Sequence, residues 1–316
     1  MLTGQQIDRK LYDHLNSYTG ELGSDGVVRA AAANLNAALV RLEQGDDEVP
    51  ADGVELTAKR LQRSPRCAFR LIPGAAHSGE TMGIMRAVAA QPGGAGSEVV
   101  AAIRRCLSVS TDTQYEKLCD AFDVETEQVA AAERAEHEVV TLWRDRAYVH
   151  DAMSLVIVRV TDSEGYPVPD FDLVLTGDDD NPDFLPDGFL ADRQRNQRQR
   201  HVLTFFLDHD LMNGCAEVRD PRDNGRSVLR PAQPGISTLG LRITPRPGDG
   251  FVHYVPAWFS ASEKLLRDVV RPHQATLLDI TLRRVVHDGV FRFGSAQQRR
   301  EDFRKTPTGR VLPPQP

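Results

Sequence analysis

The chain reads as an α/β region followed by an all-β region. Three observations predict this. Two short corners in the first third carry Gly, Asp or Pro turn residues and run into helical segments. Near residue 150 the pattern changes to runs that are apolar at every second residue, separated by turn signals. With 41% hydrophobic residues among 316, the chain can bury a sizeable core, and its length allows two domains. The expected division is 1–140 for the first region, 150–296 for an antiparallel β-sandwich and 297–316 for a Pro-rich, disordered tail.

Taken in order, "QQIDRKLYDHLNSY" in the lead-in reads as a short helix. "GELGSDGVVRAAAANLN" (20–36) is a turn entering an Ala-rich helix, and Leu35, Leu39 and Leu42 continue at helical spacing. The alanines predict close packing on another element. "QGDDEVPADGVEL" (44–56) is a loop, and "PRCAFRLIPG" (65–74) a short buried strand closed by Pro73-Gly74. Helices are predicted over 81–90, 97–109 and 112–138. Then come the β-like runs "SLVIVRV", "FDLVLTG", "HVLTFFLDHD", "STLGLRITP", "FVHYVPAWF" and "ATLLDITLRRVV". Leu203, Phe205 and Leu207, like Leu239, Leu241 and Ile243, alternate onto one face.

The balance of charge excludes some partners. A net charge of −7 argues against nucleic acid, which needs clustered Lys and Arg. No apolar run is long enough for a membrane helix, and "MLTGQQIDRK" lacks a signal peptide's apolar centre, so the expected location is cytoplasmic, with signal-independent export left open. Cys67, Cys106, Cys119 and Cys215 form no C-x-x-C pair and read as reduced, mostly buried thiols.

Two residues stand out for chemistry. Asp25, in Gly-Ser-Asp-Gly, has two readings: a turn and helix cap, or the acid that orients a histidine. His77, in "LIPGAAHSGE", lies just past the end of a buried strand, where reactive groups gather in parallel α/β sheets. An Asp accepting from an imidazole N–H fixes the tautomer and stabilises the imidazolium, the orienting half of a nucleophile–His–acid triad.

"GSDGVVR" followed by "LIPGAAHSGE" resembles the last two catalytic corners of the α/β-hydrolases of serine lipase and esterase type, in which the chain order is Ser, Asp, His. The resemblance covers roughly residues 1–110. It implies a partial α/β-hydrolase sheet, Asp25 as the acid, His77 as the base, and an ester or lipid substrate, with no cofactor or metal required. The region after 150 is similar to accessory C-terminal domains of some bacterial lipases and phospholipases. The family's G-x-S-x-G elbow has no match here. "GISTLG" places Leu239 where glycine is needed after Ser237, and Ser24 and Ser78 sit on no strand-to-helix elbow. The expectation is therefore the C-terminal portion of a hydrolase, close to inactive alone and completed by an upstream serine-bearing segment or chain. The alternative is a non-catalytic lipid- or partner-binding module.

Asp178, Asp180 and Asp183, beside Asp179 and Asp187, are secondary candidates as calcium ligands, against a solvated loop. Arg193, Arg195, Arg198 and Arg200 offer a peripheral contact with anionic headgroups, against local charge compensation. Trp143, Tyr254 and Trp258 read as core aromatics rather than a lipid-facing patch. "LDHD" (207–210) does not read as a metal site, because strand alternation sends His209 away from both neighbouring Asp side chains.

Overall fold

The computed structural model describes residues 1–5, 23–45, 53–79, 82–84, 94–135, 137–140, 146–149 and 152–286. In chain order the elements are β1 (Leu2–Gly4), α1 (Ala30–Ala33), β2 (Ala37–Gln44), β3 (Val54–Arg63), β4 (Arg70–Ile72), α2 (Gly94–Leu107), α3 (Asp112–Ala135), β5 (His137–Val140) and β6 (Arg146–Val149). They continue with β7 (Met153–Asp162), β8 (Phe171–Thr176), β9 (Leu190–Arg195), β10 (Val202–Asp208), α4 (His209–Asn213), β11 (Val218–Arg219), β12 (Val228–Arg230), β13 (Thr238–Pro245), β14 (Val252–Tyr254), β15 (Ala257–Ser262), α5 (Glu263–Val269), β16 (Ala275–Leu282) and β17 (Arg284–Val286). The helix expected at 81–90, the lead-in helix, Trp143 and the tail lie wholly or mostly outside the described residues.

The α/β part is built on β1 and β4, which pair in parallel from Leu2↔Arg70 to Gly4↔Ile72. One face packs on α2 and α3: Ile72 and Ala75 meet Val99, Ala102, Leu118, Cys119 and the fully buried Phe122. On the other, Phe69 and Leu71 pack with Ala30. Arg70 lies at the α2–α3 seam, 2.7 Å from both Glu98 and Glu125.

The β part is one curled sheet of nine strands in the order β8-β13-β15-β3-β2-β16-β7-β10-β9. It is mixed rather than purely antiparallel, because β16 pairs in parallel with both β2 and β7. Those strands are remote in sequence, so no hairpin forces them antiparallel. The sheet folds over on itself. Phe171 and Leu173 at one end share a core with Leu203, Phe205 and Leu207 near the other. Arg195 on edge strand β9 donates to the Phe171 carbonyl on edge strand β8 (2.7 Å) and lies 4.7 Å from that ring, so a side chain bridges the two edges.

The helix predicted to run on through Leu39 and Leu42 is corrected. Helix α1 stops at Ala33, and β2 buries Ala38, Val40 and Leu42 at every second position. The Asn34 side chain ends it, donating to the His273 carbonyl (2.8 Å) and accepting from the Asn36 amide (3.0 Å). Strands β2 and β3 join the large sheet, so its strands come from both sides of the expected boundary near 140–152. The expectation of close packing by the alanines holds: Ala31 is fully buried against Leu155 and Phe206 on the outer face of β7 and β10. This contact seats the Asp25 loop on the large sheet.

Candidate active site

The loop bearing Asp25 is closed by its own backbone. Ser24 and Arg29 form an antiparallel bridge, the Asp25 amide donates to Val28, and the Ala30 amide donates to Gly23. Gly23 has φ +71°, and a Cβ there would overlap the Met153 side chain, so the loop enters the sheet end at a position that only glycine suits.

Asp25 is 4% exposed and its two oxygens do different work. Oδ1 accepts from the amides of Val27 (3.2 Å) and Val28 (2.9 Å). Oδ2 lies 3.3 Å from His77 Nδ1, slightly longer than a typical N–H···O hydrogen bond. The helix-cap reading is corrected in one respect: α1 has Arg29 at its N-cap and no side-chain cap, so Asp25 caps its own turn instead.

His77 is held by the turn after β4. Its amide donates to the Asp25 carbonyl (2.8 Å), the Ala76 amide to Met82 and the Ile84 amide to Ala76, while Ala75 and Ala76 are buried beneath. The ring is 44% exposed. Gly4 sits under both corners. A Cβ on it would overlap the Ala75 carbonyl and lie 3.2 Å from Asp25 Cβ. Gly4→Ala is therefore expected to cost about 1–3 kcal/mol in chemical denaturation and to disturb the His77 amide in NMR spectra. Unchanged stability would contradict this packing.

Behind the loop, Asp192 on β9 pairs with Arg29 (3.0 Å) and accepts from Gln194 (2.7 Å). Burial pushes its carboxyl up, but the bonds from Gln194 and Arg29, the Arg29 charge and a backbone amide outweigh that and hold it below its ordinary value. A depressed carboxyl stabilises the fold above its unfolded pKa and ceases to do so as pH falls through the folded one. Wild type should therefore lose stability below about pH 4 that Asp192→Asn does not lose, checked by acid titration of Tm.

The other candidates do not gather. Asp178 accepts from Ser237 Oγ (2.7 Å), Asp180 pairs with Arg242, and the Asp183 amide caps back to Asn181 (3.0 Å). Among the described residues no three His, Cys, Asp or Glu side chains form a metal-ligand group. Ser237 lies just before β13 and spends its hydroxyl on Asp178. His209 begins α4 rather than continuing a strand, and Asp208 caps that helix at the amides of Asp210 and Leu211. Trp258 lines an open concavity of about 450 Å³ with Asp180, Arg242, Thr244 and Pro256, so it is not core, whereas Tyr254 packs on the core and donates to Asp162 (3.2 Å). Sequence reasoning missed the Arg29–Asp192 link and the role of Gly4. The only signal was a lone cation in the apolar run "VVRAAAA".

No protein-family model matches the chain, and no curated protein sequence does. Solved structures do. Phospholipase PlaB from Legionella pneumophila, in complex with thio-NAD, superposes with a TM-score of 0.77 at 33% identity over 95% of this chain and 61% of that one. A second PlaB structure gives 0.73 and 34%, over 95% and 59%. This chain has a phospholipase-like fold. It spans about three fifths of the PlaB chains it matches. At this identity over nearly its whole length, the likeness is one of sequence as well as of fold.

Proposed function

We propose that the chain is the acid- and histidine-bearing part of a serine hydrolase of lipid esters, phospholipids included, with its nucleophilic serine on a segment outside these 316 residues. The observation that carries this reading is the buried Asp25 carboxylate 3.3 Å from Nδ1 of a half-exposed His77. The likeness to PlaB and the missing G-x-S-x-G support it. Asp25 holds the Nδ1–H tautomer. His77 Nε2 takes the serine proton as Oγ attacks the ester carbonyl, and the imidazolium returns that proton to the departing alcohol. Water, activated by the same nitrogen, then releases the acyl group.

The test is hydrolysis of short and long p-nitrophenyl esters by this chain alone and by the chain extended with its upstream coding sequence. Activity in the extended form only, lost on Asp25→Asn, is expected. No activity in either form would reject the reading.

A second reading, a non-catalytic binding module, is favoured by one surface. Arg198 and Arg200 sit exposed at the β9–β10 turn, and Tyr166 is 61% exposed on the neighbouring turn, at the end of β7 away from Met153. Strand β7 has ten residues, so that end lies roughly 30 Å from the Asp25 loop at ~3.3 Å per residue. Vesicle binding that survives His77→Asn but not Arg198→Gln/Arg200→Gln would support this module.

A further inference from the structure

Arg29 is the cation that ties the Asp25 loop to the β region. Its residue is 7% exposed, its guanidinium stacks 3.7 Å above the Phe206 ring centre, and Nη2 lies 3.0 Å from Asp192 Oδ2. Both contacts reach strands of the large sheet: Phe206 on β10, and Asp192 directly opposite it on β9. On the loop side, Arg29 bridges Ser24 through the backbone, next to Asp25. A planar cation stacked on a ring and paired at one edge has little freedom to slide, which a lysine cannot reproduce. The loop amides that hold Asp25 Oδ1 belong to Val27 and Val28, immediately before Arg29. Movement of the Arg29 anchor therefore moves the donors that aim the carboxylate.

We propose that Arg29 is a positioning residue: locked to Asp192 and Phe206, it fixes the base of the loop and thereby the Asp25–His77 geometry. The inference rests on the reading of that pair as the working site. It assigns the β region a part in the chemistry, as the frame against which the triad acid is set.

The experiment is nitrogen-15 NMR of the His77 ring in the full chain, which reports which ring nitrogen carries the proton, compared across wild type, Asp25→Asn, Arg29→Met, Arg29→Lys and Asp192→Asn. Thermal melts confirm that each variant is folded. Wild type should hold the Nδ1–H tautomer and Asp25→Asn should lose it. Arg29→Met should lose it while Asp25 is intact, with Arg29→Lys restoring part. If Arg29→Met does not fold, Asp192→Asn, which alters only a partly exposed partner, should shift the tautomer in the same direction. A wild-type tautomer in folded Arg29→Met or Asp192→Asn overturns the inference and leaves the pair standing. A tautomer unmoved by Asp25→Asn overturns both.

Discussion

In the chain completed by the proposed serine-bearing segment, His77→Asn should lower kcat by about three to four orders of magnitude, with Asp25→Asn close behind. The histidine carries every proton transfer in the proposed cycle, so removing it leaves only what binding and oxyanion stabilisation supply. Asp25→Asn acts differently. Asn can donate to Nδ1 from its NH₂ and so favours the wrong tautomer, with the Nε2 proton blocking the base. The loop itself should survive, because Oδ1 of Asn still accepts from Val27 and Val28. The pair should therefore lose kcat with little change in Tm, in stopped assays on a p-nitrophenyl ester. An Asp25→Asn enzyme within tenfold of wild type would return Asp25 to a turn-capping role.

The largest stability effect is expected at Phe122. Its ring is fully buried on α3 against the β4 end, and the guanidinium groups of Arg105 and Arg70 lie 4.7 and 5.7 Å from its centre. Truncation opens a cavity and strips both cations of their aromatic face. Phe122→Ala should cost about 3–5 kcal/mol in guanidinium denaturation, a large part of a typical domain's 5–15 kcal/mol. Because the same core underlies Ala75, two residues before His77, the loss should spread to the site as faster amide exchange at His77. A cost under 1 kcal/mol would mean that α3 does not pack on β4 as described.

How much was legible depends on which residues carried the signal. Strands β10 and β13 were readable because Leu203, Phe205 and Leu207, and Leu241 and Ile243, alternate with polar or outward residues. Strand β2 was not. In "AALVRLEQ" the leucines fall at a helical interval while Ala38, Val40 and Leu42 fall at an interval of two, and the alanines tipped the reading towards helix. What decided the outcome was β16 on one side and β3 on the other, neither visible in a local window. Strand β9 was seen only as an arginine cluster, since an edge strand shows little apolar pattern. The Asp25 and His77 corners could be matched because each carries local turn chemistry. The Arg29–Asp192 link could not, because it is made by tertiary packing between distant segments.

The central claim is that His77 serves a serine outside this chain. Fluorophosphonate labelling of the completed protein, with peptide mapping of the adduct, tests it most directly. The account predicts one labelled serine on the added segment, with a rate that collapses in His77→Asn. Label on Ser24, Ser78 or Ser237, or a rate indifferent to His77, would contradict it.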